Sequence, residues 1–212
     1  MNTRKIILAT TSPHRKAAFT TLGIPFETQQ SDVDEYFEGR PSQPEELVLC
    51  LARLKAESVA NKQDENCVVV GFDSVGWFEN QILEKPKSKE DAFQRLRAIS
   101  GKSYQFFTAV NVLECVEGGR TCMSRIAKTE IEMRDLTDSE ISWYLDQDLS
   151  YGTYAQGYNS LETYGSTFVK SIRGSYNNAI RGMPLEIIME MFKEIGFEIK
   201  DGKEGTSYTI SN

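Results

Sequence analysis

Residues 67–72 read CVVVGF, an unbroken apolar run of strand length, and the next two residues are Asp73 and Ser74. A run without polar alternation suits a strand buried inside a sheet, and an acid directly after it costs free energy unless it is paired or metal-bound. Ligands of α/β folds gather at strand ends, which makes Asp73 the first candidate for chemistry.

The rest of the chain supplies partners for that strand. Residues 5–9, KIILA, predict a second short buried strand. Thr10-Thr11-Ser12-Pro13 then turns into a helix, with Ser12 as cap, Pro13 at the first position, Ala18, Phe19 and Leu22 as its apolar stripe and Gly23 as its stop. A strand, a polar loop and a helix N-terminus make a natural anion site. A capping box from Ser42 to Glu45 predicts a second helix to about Val59, carrying Leu47, Leu51, Leu54 and Lys55. Val75–Leu83 reads as a hairpin turning at Glu79-Asn80, and Ser88 caps a helix with Ala92, Leu96 and Ile99 that Gly101 stops. Residues 104–113 and 126–133 alternate as strands, Thr137 to Glu140 opens another helix, and residues 149–165 form a long Gly- and Tyr-rich loop. A strand at 167–172, a turn at Gly174–Asn177 and a helix with Leu185, Ile188, Met189 and Phe192 follow. This order implies an α/β fold with a mixed sheet, one domain over residues 1–200 and a frayed polar tail over 201–212.

With 212 residues and 40% hydrophobic content the chain can bury a core as one domain or two closely joined lobes. Cys50, Cys67, Cys115 and Cys122 show no C-x-x-C pairing and sit in apolar or mixed segments, so buried reduced thiols are expected rather than zinc ligands. The apolar stretch near the N-terminus is too short for a signal-peptide core, and no segment approaches membrane-spanning length. The expectation is a cytoplasmic protein with no membrane association. A net charge of −7 argues against a nucleic-acid surface. A phosphorylated small molecule remains open to an acidic chain that concentrates a few cations in a cleft.

Candidate site residues are those that interrupt orderly elements: Ser12, His14 and Arg15 at the first helix start, Asp34 and Glu35 after it, Lys55 on the second helix, then Asp73 and Lys85. Brought together, they suit Mg²⁺-assisted attack on a polyphosphate, with acids holding metal and water while Arg and Lys neutralise phosphates. Each has a plainer role to set beside this. Lys55 could lie along its helix with its amine in water, and Asp34-Glu35 could be a solvated turn. Arg15 is odd without an anion nearby, because the helix dipole disfavours a cation there. His14 is the lone histidine, no G-x-S-x-G elbow exists for a hydrolase triad, and no Walker A loop is present.

Together these segments resemble the Maf family. ILATTSPHR resembles its S-P-R-R opening, DVDE its acidic motif, LARLKA its lysine motif, VVVGFDS its G-A-D-T segment and ILEKP its K-P motif. LRAISGKSYQFFTAV is similar to its L-S-G-x-x-H-x-V-x-T-A stretch and GSYNNAIRGMPL to its G-S-Y-x-N-V-x-G-L-P-L close. The matches run in order over nearly the whole chain.

The resemblance implies an elongated mixed sheet flanked by helices, two lobes with a central cleft as in inosine triphosphatases, Mg²⁺ dependence, a homodimer, and hydrolysis of a nucleoside triphosphate to the monophosphate and pyrophosphate. Carried over, Asp73 is the catalytic proton acceptor. Ser12, Arg15, Lys55 and Lys85 hold the triphosphate, and Glu35 with Asp73 holds Mg²⁺. Three family positions tied to substrate choice read His14 in place of Arg or Trp, Ser74 in place of Thr or Gln, and Glu162, the last reached by counting back from Gly174. Glu at that position resembles the branch acting on 7-methyl-GTP, which makes a modified or non-canonical nucleotide such as 7-methyl-GTP the expected substrate; the branch acting on dTTP and UTP carries Gln and is the alternative within the enzyme class. The surrounding loop, YGTYAQGYNSLETYG, departs from the family's D-K-A-G-A-Y-G-I-Q-G. The family is also linked to inhibition of septum formation, which makes a nucleotide-binding regulator the alternative of another class.

Overall fold

The computed structural model describes residues 4–63, 66–202 and 205–210. In chain order these form β1 (Lys5–Ala9), α1 (Pro13–Thr20), β2 (Glu27–Thr28), α2 (Pro44–Ala60), β3 (Cys67–Phe78), β4 (Gln81–Leu83), α3 (Lys89–Ile99), β5 (Ser103–Val116) and β6 (Gly119–Met133). Then come α4 (Asp138–Gln147), a stretch with two short 3₁₀ turns, β7 (Val169–Arg173), α5 (Tyr176–Arg181), α6 (Leu185–Glu194), β8 (Phe197–Gly202) and β9 (Gly205–Ile210). The main sheet is mixed, with strand order β2-β1-β3-β5-β6-β7 and β4 paired to β3. β1 runs parallel to β2 and β3, and the remaining pairs are antiparallel. The expected α/β mixed sheet flanked by helices is the observed architecture.

The unbroken apolar runs follow from two-sided cover. Ile6, Leu8, Val68, Val70 and Phe72 pack with Phe19 and with Ile188 and Phe192 of α6 on one face. Ile7, Ala9 and Val69 pack with Ala56 and Val59 of α2 on the other. A third cluster, around Leu96, Tyr104, Ile131, Tyr144, Tyr158 and Phe168, joins α3 and α4 to the far part of the sheet. The cleft described below lies where α1 and α5 face the 148–168 stretch that caps this third cluster. No helix among the described residues is long and apolar enough to cross a membrane.

Gly71 fixes how closely α2 approaches β3. A Cβ there would stand 2.1 Å from the Ala52 carbonyl oxygen and 2.9 Å from the Ala56 Cβ, so only glycine lets helix and strand meet. That contact brings Lys55, beside Ala56, within reach of the strand.

Several expectations need correction. β3 does not stop at Phe72; it continues through Asp73 to Phe78 because β5 pairs along its length. What stops near Asp73 is the parallel pairing, whose last register is Ala9 with Gly71. The Ser42–Glu45 box does not form. Pro44 occupies the first turn of α2, which puts the cap at Gln43, without a side-chain bond. Gly174–Asn177 is not a free turn, since Ser175 caps α5 by accepting from the Asn178 N–H. Of the tail expected to fray from Asp201, residues 201–202 and 205–210 instead pair in the β8–β9 hairpin, with Ile210 buried in the core, and the remainder lies outside the described residues. The cysteines are not all buried: Cys67 and Cys115 are, Cys50 is half-buried and Cys122 is exposed.

Candidate active site

At the C-terminal end of β1, Thr10 Oγ1 accepts from the Ser12 N–H at 3.1 Å and Ser12 Oγ accepts from the Arg15 N–H at 3.4 Å. These local bonds start α1 as the sequence implies, and they direct Arg15 back across β3. Its Nη2 donates to Ser74 Oγ at 2.8 Å, its Nη1 to the Phe72 carbonyl at 3.4 Å and its Nε to the Gly182 carbonyl at 3.3 Å. Ser74 Oγ also bonds Thr108 Oγ1 of β5 at 2.7 Å. Burial lowers the Arg15 pKa, while Asp73 and Glu35 oppose that effect. The anions needed to justify a cation at a helix start are therefore present.

On the α2 side of the sheet, Lys55 Nζ lies 2.7 Å from Asp73 Oδ1 and 2.7 Å from Glu35 Oε1. Lys55 is thus not a residue lying along its helix in solvent; its side chain is 13% exposed and that of Asp73 is 9% exposed, against 45% for Glu35. Burial pushes the Asp73 carboxyl above its ordinary pKa, and Lys55 and Arg15 pull it down again. Water hydrates a carboxylate better than a protein interior does, and the adjacent cations offset only part of that loss. The result is a buried acid held as a hydrogen-bond acceptor next to two cations, the environment from which general bases are recruited.

The α1-side groups open onto a cleft of about 580 Å³. Ser12, His14, Arg15, Ser74, Lys85 and Glu162 all line it, so six of the sequence candidates share one cavity, and Glu35, Lys55 and Asp73 form the charged cluster beside Arg15. His14 is half-buried. Its Nε2 is 3.4 Å from Thr153 Oγ1 and its ring centre 4.6 Å from that of Tyr154. Burial lowers its pKa, Glu162 and Asp148 raise it and Lys85 lowers it. The shallower concavity beside the β3–β4 hairpin, lined by Trp77, Glu79 and Lys102, contains none of these residues.

The wall opposite α1 was beyond local sequence signals. Tyr154, Gln156 and Asn159 line the cleft there, and Arg181, at the end of α5, lines it on the α1 side. Tyr144 Oη donates to Asp148 Oδ2 at 2.6 Å and accepts from the Asn159 N–H at 2.8 Å. Asn159 Oδ1 accepts from the N–H groups of Leu161 (2.9 Å) and Glu162 (3.3 Å). One buried tyrosine thereby shapes the segment that carries Glu162. From the other side, Arg95 donates to the carbonyls of Glu84 and Ala155, tying the segment before Lys85 to the same wall.

The family model for Maf-like proteins matches residues 5–195. The chain belongs to the Maf family. Among relatives of this Maf protein, a dTTP/UTP pyrophosphatase of Idiomarina loihiensis (strain ATCC BAA-735 / DSM 15497 / L2-TR) is 34% identical over 198 residues, covering 91% of this chain and 97% of the relative. A dTTP/UTP pyrophosphatase of Bacillus anthracis (strain CDC 684 / NRRL 3495) is 32% identical over 202 residues, covering 92% and 98%. The expectation of a hydrolase of the nucleotide pyrophosphatase class agrees with both names. A solved HAM1 protein from Coxiella burnetii aligns over 90% of this chain and 99% of its own at 15% identity and a TM-score of 0.46. At that similarity it adds nothing to the family assignment, which stands on sequence.

Proposed function

We propose that this Maf protein hydrolyses a nucleoside triphosphate to the monophosphate and pyrophosphate, with Asp73 as the general base. The observation that carries the reading is the buried Asp73 carboxylate, held 2.7 Å from Lys55 Nζ beside a cleft lined by Arg15 and Lys85. Asp73 takes a proton from water as the water oxygen forms its bond to the α-phosphorus. The bond from that phosphorus to the bridging oxygen breaks, and pyrophosphate leaves with the electron pair. Lys55, Arg15 and Lys85 offset the charge of the phosphates, and Ser12 stands at the helix N-terminus where phosphate oxygens are well received.

Glu35 and Asp73 are the residues that would hold Mg²⁺. Both carboxylates converge on one cationic atom, Lys55 Nζ, so the pair already shares a point that favours positive charge. Among the described residues there is no group of three or more His, Cys, Asp or Glu side chains able to hold a metal. Two carboxylates nevertheless fit Mg²⁺, which keeps several waters and takes its remaining oxygens from substrate phosphates. When bound, the ion supplies charge neutralisation at those phosphates.

For the base, dTTP and UTP are the first reading, supported by the names of the relatives. A second reading, 7-methyl-GTP, is carried by Glu162 on the cleft wall, because a carboxylate can accept from the N1–H and N2–H₂ donors of a guanine edge. Pyrophosphate release with Mg²⁺ is the test, measured across dTTP, UTP, CTP, ITP, 7-methyl-GTP and the standard ribonucleotides. A pyrimidine preference supports the first reading and a 7-methyl-GTP preference the second. Release from none of them overturns the pyrophosphatase reading.

A further inference from the structure

Arg15 and Arg181 both line the cleft, but their guanidinium groups are used differently. All three nitrogens of Arg15 donate to protein oxygens, those of Phe72, Ser74 and Gly182, and its Cζ lies 5.6 Å from the centre of the Phe72 ring. Arg15 is anchored, and what it holds is Ser74, the residue after Asp73. Arg181 closes the last turn of α5, next to Gly182, whose left-handed φ of 59° turns the chain away. Its Nε is buried without a hydrogen-bond partner, and among the described residues its guanidinium makes no hydrogen bond, ion pair or ring contact. Glu162, on the facing 148–168 stretch, also lines the cleft but is not within ion-pair reach of it.

A buried, unpaired guanidinium nitrogen is costly, and the cost is compounded by Arg15 and Lys85 lining the same cavity. A protein can carry such an arrangement when an anion completes it, and the guanidinium fork matches two oxygens of a phosphate at once. We propose that Arg181 is a phosphate-binding residue of this cleft, the guanidinium that grips the polyphosphate while Arg15 positions Ser74 beside Asp73. The inference rests on the nucleotide reading of the site and adds a residue to it.

Titration of the intact protein with inorganic tripolyphosphate, followed calorimetrically for wild type, Arg181→Gln and Arg181→Lys, tests it apart from turnover. Arg181→Gln should weaken tripolyphosphate binding by about 10- to 100-fold, the range of a charge-assisted hydrogen bond, and raise KM by a similar factor with kcat changed only a few-fold. Arg181→Lys should recover part of the affinity, since it keeps the charge and loses the fork. An unchanged tripolyphosphate affinity in Arg181→Gln overturns the inference, as does a variant whose only change is its choice between UTP and 7-methyl-GTP, or a wild type that does not bind tripolyphosphate. Wild-type binding of tripolyphosphate without pyrophosphate release from any nucleotide would remove the pyrophosphatase reading and leave the Arg181 assignment in place.

Discussion

The two walls of the cleft are built by different means. One comes from regular elements: the start of α1, the middle of β3 and the end of α5, with the Asp73–Lys55 pair of β3 and α2 beside it. Its functional groups are fixed by register, since Asp73 and Gly71 point to α2 while Phe72 points to the α1 side. The other wall is the stretch from Asp148 to Phe168, which has only two short 3₁₀ turns and is held by side chains, chiefly Tyr144, Asp148, Asn159 and Arg95. A wall set by strand and helix geometry keeps a reacting group in place. A wall set by side-chain bonds can change its lining with a few substitutions. On the proposed reading, the reaction belongs to the first and the choice of base to the second.

The largest effect should come from the first wall. Asp73→Asn keeps the shape and removes the proton acceptor, so kcat should fall by about 10²- to 10⁴-fold, with nucleotide binding changed much less. The pH dependence follows from the raised pKa of Asp73. The base acts only when ionised, so kcat/KM should fall as pH drops through a midpoint above the ordinary carboxylate value near about 4. The sign for folding is opposite to that of a salt-bridged surface acid. A carboxyl whose folded pKa is raised favours the folded state below its unfolded pKa, and that advantage is lost as pH rises through the folded value. Full turnover in Asp73→Asn would mean that the regular wall holds the acid for structure alone.

The same division explains what could be read in advance. Ser12 as cap, the Glu79-Asn80 turn with φ of 47° and 61°, Ser88 as cap and the two-faced strands β1 and β3 all rest on local rules, and each is present. Local rules failed where a neighbour in sequence or space intervened. Pro44 moved the start of α2, and pairing with β5 carried β3 beyond the polar Asp73, whose burial Lys55 makes tolerable. Lys55 itself was ambiguous because its helix is compatible with a solvated amine; only the close approach at Gly71 turns it inward. Arg181 and the Tyr144 network depend on contacts between distant segments, for which a single sequence offers no period or spacing.

An intermediate effect should come from Tyr144→Phe, which tests whether the second wall is separable from the first. Loss of the hydroxyl removes the donor to Asp148 Oδ2, leaving that carboxylate only the Ser150 bonds to Oδ1, and leaves the buried Asn159 N–H without its acceptor. One such orphaned group costs about 1–3 kcal/mol. Denaturant unfolding should show a loss of that size. Steady-state kinetics should show a raised KM with kcat within a few-fold of wild type, since Lys55 and Asp73 are untouched. A fall in kcat at unchanged KM would show that the loop also sets the geometry of the reacting groups.

The smallest effect in free energy, and the finest test of the comparison, is Glu162→Gln. Glu162 is exposed at the cleft rim, and the Asn159 contact is to its backbone N–H, so stability should be unaffected. Replacing an acceptor-only group by an amide exchanges a match to the guanine donors for a match to the acceptor–donor edge of uracil and thymine. The ratio of kcat/KM for UTP to that for 7-methyl-GTP should rise by about 10-fold, the worth of one discriminating hydrogen bond, whichever substrate the wild type prefers. His14 bears on the result, because Glu162 is among the groups that raise its pKa. Removing that charge lowers the His14 pKa further and keeps the imidazole neutral beside the base. An unchanged ratio would place base selection with His14 and Tyr154, on the boundary between the two walls.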